Sequence, residues 1–373
     1  MTGPGASRPA ALPEHRPPLR ILAVSAQWQG ANDYALVRAL RRAGHSVRAI
    51  AEAEFLPAWR APALRALRRA LRPRLVREFN AALMAEAEAL RPEMLFVFKG
   101  PMVAARTLER LRAKGVICIQ FFPDVSVFTH GPELPRALPC YDWVFTTKSF
   151  GLSDMAERLG IRDASFLPHA FDPETHAPAD LTEADRARHA CDVSFIGDRS
   201  PEKQRLLAAL AAACPDLDLR IWGPDRWRRA PPALRRTWQG DRVTVREYAK
   251  AIGLSKVNLG LLTERQPGAS SGDVMTARSF EIPAAGGFML HQRTREATAF
   301  FEEGREAAFF DGPDELVHEV RRYLAEPEAR LAIAAAGRRR VIADGHSADD
   351  RAHAIVARYR DLRARRKPCA PWT

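Results

Sequence analysis

Two segments in the second half of the chain join glycine turns to charged side chains, a combination suited to binding an anion. The first, residues 195–203 (FIGDRSPEK), runs from a short apolar stretch through Gly197 into a helix start. Ser200 is a favoured helix N-cap, and a proline follows at the first helical position. Free backbone N–H groups there attract anions, and Arg199 and Lys203 would offset the charge of a diphosphate. The alternative is an ordinary capped helix with solvated charges.

The second segment, residues 267–287 (PGASSGDVMTARSFEIPAAGG), is a Gly/Ser loop through Ser271 and Gly272 that leads into a helix. Its helix start is again suited to an anion. Arg278 and Glu281 are three residues apart and share one helix face. An ionised glutamate only accepts hydrogen bonds, so it suits both hydroxyls of a ribose. The alternative is a surface Arg–Glu pair, which contributes little, although the apolar residues after Glu281 are an unusual setting for one.

Composition places the chain among globular proteins. The 373 residues are 46% hydrophobic and 27% charged, which excludes wholesale disorder and fits two domains. The formal net charge is +12, from 57 Lys+Arg against 45 Asp+Glu. Ala, Arg and Pro are used heavily throughout the chain. An arginine-biased genome therefore explains most of the excess positive charge better than an anionic partner does.

The chain shows no sign of secretion, membrane insertion or metal binding. No stretch of 18 apolar residues occurs, so we expect no membrane-spanning helix. Residues 1–18 lack the apolar core of a secretory signal and are predicted to be a proline-rich disordered leader. The five cysteines have no metal-ligand spacing, which indicates reduced thiols in a cytoplasmic protein and no metal site.

Alternating strand and helix patterns predict the elements that must position these segments. In the first half, short apolar runs alternate with amphipathic helices, which indicates a doubly wound α/β domain over residues 19–170. The predicted strands of that domain are 20–26, 47–51, 94–98, 116–122, 142–146 and 164–167.

The same alternation restarts after a polar stretch that carries no strand pattern. We place a linker at 171–190, a second Rossmann-like domain at 191–345, and a C-terminal helix and tail at 346–373. The proline-rich residues 168–173 would form the hinge. Two consecutive α/β domains predict a cleft at the carboxyl ends of their strands, where ligands bind in such folds.

Several stretches resemble the CgeB-like family of spore-maturation-type glycosyltransferases. Residues 278–287 (RSFEIPAAGG) are similar to the family signature R-x-F-E-x-x-A-x-G-G, and the hinge 166–173 and the stretch 326–347 resemble the same family. The resemblance implies a GT-B fold with two facing Rossmann-like domains. It also implies a nucleotide-sugar donor on the second domain, a carbohydrate or other hydroxyl acceptor on the first, and no required metal or cofactor.

Residues 197–203 and 271–281 are the donor-binding candidates that the resemblance supports. Related GT-B enzymes carry two acidic residues eight apart, and Asp273 and Glu281 have that spacing, with aspartate in the first place. Lys203 resembles the donor-phosphate lysine of such enzymes, whereas Arg199 is shifted from the usual arginine position.

The acceptor side would come from the first domain. Asp124 follows a predicted strand and His130 lies in the same loop. In an inverting enzyme one of them would be the general base for the acceptor hydroxyl, and in a retaining enzyme they would orient sugars. Each has a structural alternative, a loop cap for Asp124 and a solvated side chain for His130.

Two further residues are candidates at the hinge or cleft. Gly30 would allow close ligand approach. His169 in the hinge would reach the cleft or make a structural hydrogen bond.

An amphipathic basic helix is predicted over residues 59–77, with seven arginines and leucines at helical spacing. It would rest on the anionic inner-membrane surface or simply pack its leucines into the core. Nucleic acid is not expected, because aromatic residues do not interleave with the arginines. Two other functions stay open: a nucleotide-sugar epimerase of the same fold, and a non-catalytic protein that binds nucleotide or a membrane surface.

Overall fold

A computed structural model describes residues 17–56, 64–240, 243 and 245–366. They form two parallel sheets, each flanked by helices, as the strand–helix alternation predicts. The first sheet has the order β2-β1-β3-β4-β5-β6. Its strands are β1 (Arg20–Val24), β2 (Ser46–Ile50), β3 (Met94–Phe98), β4 (Ile117–Phe122), β5 (Trp143–Thr146) and β6 (Ala164–Phe166).

Helices cover both faces of this sheet, so its central strands are buried throughout. In β3, Leu95 and Val97 face one apolar core while Met94 and Phe96 face the other. Such two-sided burial makes a parallel strand a continuous apolar run, which is the pattern found in the sequence. The helices of this domain are α1 (Asn32–Arg42), α2 (Leu64–Leu90), α3 (Ala105–Ala113), α4 (Glu133–Ala137) and α5 (Phe150–Leu159).

The second sheet has the order β11-β10-β9-β7-β8. Its strands are β7 (Cys191–Ile196), β8 (Leu219–Trp222), β9 (Ser255–Gly260), β10 (Met289–Gln292) and β11 (Ala308–Phe310). The helices around it are α6 (Glu183–His189), α7 (Pro201–Ala213), α8 (Pro232–Thr237), α9 (Val245–Leu254), α10 (Arg278–Ala284), α11 (Arg295–Phe300), α12 (Gly312–Ala325) and α13 (Pro327–Ala343).

The last described helix, α14 (Ala348–Arg365), returns to the first domain. Ala352, Ile355 and Tyr359 of α14 lie in the same buried cluster as Leu36 and Leu40 of α1. The chain therefore crosses between the domains twice. The predicted C-terminal helix thus belongs to the core of the first domain, and residues 367–373 lie outside the described part.

The predicted linker 171–190 is more ordered than its composition indicates. Residues 183–189 form α6, which begins with a capping box between Thr182 and Asp185. Lys250 of α9 donates to both carboxylate oxygens of Asp185 at 2.9 Å, so α6 packs with the second domain. The predicted linker therefore contains a helix that its sequence does not indicate, because short polar helices stabilised by caps leave no apolar periodicity.

The predicted basic helix is in part outside the described residues, since 57–63 are not described and α2 begins at Leu64. Within α2, Arg72 Nη2 donates to the carbonyls of Pro101 and His130, both at 3.0 Å, and so has a structural role. Leu67 is 45% exposed. Contact with a membrane stays a prediction, as does the leader, of which only the last residues are described.

Candidate active site between the two sheets

A cavity of about 690 Å³ lies between the domains where strands of both sheets end. Side chains and loops at the carboxyl ends of parallel strands point into such a crevice, because the crossover helices occupy the two faces of each sheet. The cavity is lined by Trp28, Gln29, Gly30, Asn32 and Asp124 of the first domain, Thr175 and His176 of the linker, and Ile196, Gly197, Asp198, Trp222, Gly223, Pro224, Val243, Val245, Tyr248, Arg278 and Glu281 of the second domain.

Glu281 lies in the cavity wall on α10 and is buried. Its Oε2 accepts a hydrogen bond from the Tyr248 hydroxyl at 2.8 Å. Burial, together with the neighbouring Glu281 charge, raises the pKa of Tyr248 well above its ordinary value, so the hydroxyl stays a donor. Burying a carboxylate is unfavourable unless hydrogen bonds compensate, and Tyr248 supplies one of them.

Arg278 lies one helical turn before Glu281 and faces the turn at Gly197. Its guanidinium carbon is 5.4 Å from the centre of the Phe195 ring, and Nη2 donates to the Leu261 carbonyl at 3.3 Å. Among the described residues, Arg278 Nε has no hydrogen-bond partner and no carboxylate lies within ion-pair distance of the guanidinium. The predicted alternative of a surface Arg–Glu pair is therefore wrong, and Arg278 keeps donor capacity for a ligand.

Glycines allow the chain to pass closely at the cavity edge. A Cβ on Gly197 would come within 2.9 Å of Arg278 Nη1, and a Cβ on Gly223 would overlap the Gly197 carbonyl oxygen. That carbonyl accepts from Trp227 Nε1 at 2.9 Å. Gly30 has φ +90°, and a Cβ there would come within 2.7 Å of Val245 in the other domain.

Lys203 is buried behind the cavity wall and does not line it. Its Nζ donates to Thr263 Oγ1 at 2.9 Å. Burial and the neighbouring Arg278 charge lower the pKa of Lys203 to about 8, although nearby carboxylates act in the opposite direction. Lys203 has no ion-pair partner in the described ranges, so this buried cation next to Arg278 creates a positive potential at this end of the cavity.

Arg199 and Ser200 differ from their predicted roles. Arg199 Nε donates to Gln204 Oε1 at 2.7 Å, which ties the guanidinium to α7, and Arg199 does not line the cavity. Ser200 occupies the N-cap position, but its hydroxyl makes no capping hydrogen bond. From this segment, Ile196, Gly197 and Asp198 line the cavity.

Asp273, predicted as a donor-binding residue, lies outside the cavity wall. Its Oδ1 is 2.5 Å from Lys148 Nζ of the first domain, and the Lys148 side chain is 2% exposed. Ser271 and Gly272 do not line the cavity either; a Cβ on Gly272 would sit 3.1 Å from the Thr263 carbonyl oxygen. The ion pair with Lys148 holds this loop against the first domain, and the loop sequence does not indicate it because the lysine lies 125 residues away.

The Gly/Ser loop also docks on the first domain at two further points. Ser126 Oγ donates to the Pro267 carbonyl at 2.6 Å, and the Ser270 N–H donates to Asp154 Oδ2 at 2.9 Å. The Thr276 N–H, at the predicted helix start, donates to Ser279 Oγ at 3.0 Å. At the start of α10 itself, the Ser279 and Phe280 N–H groups donate to the carbonyls of Thr276 and Ala277, so they are occupied within the protein.

Asp124 faces the donor-side residues from the first domain. Its Oδ2 lies 2.5 Å from Lys99 Nζ and 2.9 Å from His130 Nε2, and its side chain is 37% exposed. Burial favours a higher pKa for Asp124, but His130 and Lys99 outweigh it and hold that pKa well below its usual range. Lys99 has φ +66°, a left-handed conformation at the end of β3 that is uncommon for lysine. His130 contacts Asp124 and does not itself line the cavity.

His169 lies behind the first-domain wall and does not line the cavity. Burial and the Lys148 charge lower its pKa well below the ordinary value, against the attraction of Asp124. His169 is half-buried and hydrogen-bonds the backbone of Pro123, which agrees with the structural alternative.

Sequence reasoning missed several residues that the fold brings to the site. Tyr248, Trp222 and His176 line the cavity, and Lys99 reaches Asp124. Lys99 directly follows a predicted strand, which was an available signal, whereas Tyr248 and His176 are recognisable only once the chain is folded.

Within the described residues, no group of three His, Cys, Asp or Glu side chains is arranged to hold a metal. No helix in those ranges is long and apolar enough to cross a bilayer.

Two facing Rossmann-like domains with a shared cleft define the GT-B fold of glycosyltransferases. Residues 199–357, which cover most of the second domain and the start of α14, match the model of the glycosyl transferase-like family. No curated protein matches the chain significantly.

Solved structures agree on the fold. A glycosyltransferase from Rickettsia africae is 12% identical with a TM-score of 0.64, covering 93% of this chain and 98% of its own. Sucrose-phosphate synthase from Thermosynechococcus elongatus is 14% identical with a TM-score of 0.67, covering 92% and 99%. The Anabaena protein HepE in complex with UDP is 11% identical with a TM-score of 0.58, covering 91% and 99%.

Proposed function

We propose that the protein is a glycosyltransferase that moves a sugar from a nucleotide-diphosphate donor to a hydroxyl acceptor. The observation that carries the proposal is the cavity of about 690 Å³ that Glu281 and Arg278 of the second domain line together with Asp124 of the first. The match of residues 199–357 to a glycosyl transferase-like family supports the same conclusion. The resemblance of residues 278–287 to the CgeB-like signature supports membership of that group as the finer part of this proposal.

The second domain would hold the donor. The Glu281 carboxylate accepts from the ribose hydroxyls, since an ionised carboxylate has lone pairs beyond the one engaged by Tyr248. The diphosphate lies against the Gly197 turn, where Arg278 donates to its oxygens. Lys203 acts from behind the turn as a positive charge.

Catalysis would depend on stabilising the leaving diphosphate. As the bond between sugar and phosphate breaks, negative charge grows on the diphosphate oxygens. Arg278 and Lys203 are already in place, so they stabilise that charge without reorganisation. Closure of the two domains around the donor would shield the cavity from bulk water, which limits hydrolysis of the donor.

The first domain would present the acceptor. Asp124 is the charged first-domain side chain in the described cavity wall, and Lys99 Nζ and His130 Nε2 lie within ion-pair distance of its Oδ2. Its other oxygen is left to accept a hydrogen bond from the acceptor hydroxyl. That hydrogen bond orients the hydroxyl toward the anomeric carbon and increases its nucleophilicity.

The test has two parts. First, melting temperature is measured with UDP-, GDP- and dTDP-sugars, since a bound donor raises it by mass action. Second, release of nucleoside diphosphate is measured with and without mixed sugar acceptors. A transferase needs an acceptor, whereas an epimerase converts the donor sugar without one.

Variants locate the site within the same experiment. Glu281→Ala and Lys203→Ala are expected to lose the melting-temperature increase, while Glu302→Ala, an exposed glutamate outside the cavity wall, keeps it. If both site variants retain donor affinity, the proposed donor site is wrong.

A further inference from the structure

The hydrogen bond between Tyr248 and Glu281 joins two elements of the second domain at the cavity wall. Tyr248 lies on α9 and Glu281 on α10, 33 residues apart in sequence, and both line the cavity. The hydroxyl-to-Oε2 distance is 2.8 Å. A hydrogen bond to a charged acceptor of this length is stronger than one between neutral groups.

Tyr248 is itself fixed by its surroundings. Its ring centre lies 5.0 Å from that of His176, edge to face. His176 is held in turn, because its Nδ1 accepts from the Asp172 N–H at 2.9 Å. The hydroxyl is therefore positioned by the linker on one side and by α9 on the other.

A fixed hydroxyl on one carboxylate oxygen limits how the other can point. Glu281 has three side-chain torsions, and its terminal torsion is soft when nothing engages the carboxylate. With Oε2 held by Tyr248, the plane of the carboxylate is set, and Oε1 is left without a hydrogen-bond partner among the described residues. Oε1 is available to a hydroxyl in the cavity.

We propose that Tyr248 is a positioning residue that orients Glu281 for a vicinal diol, so that the site selects ribonucleotides over 2′-deoxyribonucleotides. The inference rests on the proposed function, since it assumes that Glu281 receives the pentose of the donor. A ligand without the 2′-hydroxyl leaves a buried carboxylate oxygen short of a donor. Such a loss of a hydrogen bond to a buried charge weakens binding by about tenfold or more.

The test compares ribo and deoxy ligands on matched variants. Affinities for UDP, GDP, dUDP and dGDP are measured by calorimetry for the wild type, Tyr248→Phe and Tyr323→Phe. Tyr323 is a buried tyrosine of the same domain that packs on Phe288 and does not line the cavity, so it controls for hydroxyl removal. We expect the wild type and Tyr323→Phe to prefer the ribo ligand at least about tenfold. Tyr248→Phe should reduce that preference to about threefold or less.

If Tyr248→Phe has only a general structural effect, it weakens the binding of ribo and deoxy ligands equally. If the ribo preference is unchanged, the hydroxyl has no effect on the carboxylate. Either result overturns the inference but leaves the proposed function intact. Failure of the wild type to bind any nucleotide overturns both. If Tyr248→Phe does not fold, Glu281→Gln reports on the same group with the hydroxyl retained. In Glu281→Gln the preference for ribo over deoxy ligands should also fall to about threefold or less. An unchanged preference in this variant overturns the inference.

Discussion

Lys148 of the first domain and Asp273 of the second form a buried ion pair, with Nζ 2.5 Å from Oδ1. Lys148 Nζ also donates to the Met275 carbonyl at 2.7 Å. The segment that leads into α10 is therefore tied to the first domain just before Arg278 and Glu281. The position of these two residues depends on how the domains meet.

Removing one partner of this pair is expected to destabilise the protein strongly. In Lys148→Met, Asp273 is left as a buried charge without its cation, and breaking a buried pair in this way costs about 3–5 kcal/mol. The measurement is urea-induced unfolding followed by tryptophan fluorescence. The double variant Lys148→Met, Asp273→Leu should recover most of the loss, because it removes both buried charges.

Lys256→Met is the matched control. Lys256 pairs with Asp192 at 2.7 Å, but the two side chains are 54% and 27% exposed. Solvent-exposed pairs contribute about 1 kcal/mol or less, so this variant should unfold close to the wild-type urea concentration. Equal losses of unfolding free energy in Lys148→Met and Lys256→Met would show that burial does not increase the contribution of the interdomain pair to stability.

The low pKa of Lys203 predicts a pH-dependent donor affinity. Burial places this pKa at about 8, so the side chain is charged below pH 8 and increasingly neutral above it. A neutral amine no longer offsets diphosphate charge, and affinity for a nucleoside diphosphate should fall about tenfold between pH 7 and pH 9. The affinity for a nucleoside diphosphate is measured by calorimetry at several pH values.

Lys203→Arg provides the comparison for that profile. A guanidinium stays charged throughout this pH range, so the variant's affinity should change little even if its absolute value is lower. A wild-type profile that is flat from pH 7 to pH 9 would contradict a role for the Lys203 charge in binding.

Asp124 is expected to act on the acceptor and not on the donor. Asp124→Asn keeps the shape of the side chain but loses the negative charge that Lys99 and His130 surround. We expect kcat to fall about 100-fold, in the range of lost acid–base or orienting groups, with donor affinity changed less than about twofold. Asp163→Asn, on an exposed residue, should leave both unchanged. A loss of donor affinity equal to the loss in kcat would place Asp124 in the donor site instead.

Local patterns identified the elements and the edges of the site. Apolar runs such as Met94–Phe98 mark buried parallel strands, and residues that directly follow strands reach the crevice by geometry alone. Gly197 and Asp124 follow their strands closely, Gly30 follows β1 after a short loop, and all three line the cavity. The fold class and the placement of these residues therefore depend on short-range sequence.

Contacts between distant residues could not be found in the same way. Asp273 lies within a plausible loop, but its partner Lys148 is 125 residues away, and nothing local signals the pair. Tyr248 shows the same limit, because its hydroxyl finds Glu281 only after α9 and α10 pack together. Short polar helices such as α6 were missed because caps and ion pairs, not apolar periodicity, stabilise them.

The narrow space at Gly197 gives a last test of the donor site. In Gly197→Ala, the new Cβ would come within 2.9 Å of Arg278 Nη1 and Phe195 Cζ. Both atoms are the ends of side chains, so the fold should survive while Arg278 shifts away from the turn. We expect nucleoside diphosphate affinity to fall about tenfold, the loss of roughly one charge-assisted hydrogen bond.

The matched control is Gly253→Ala on α9, where no described atom lies within 4 Å of the new Cβ. It should bind normally and gain up to about 1 kcal/mol in stability. Normal affinity in Gly197→Ala would mean that Arg278 does not contact the diphosphate.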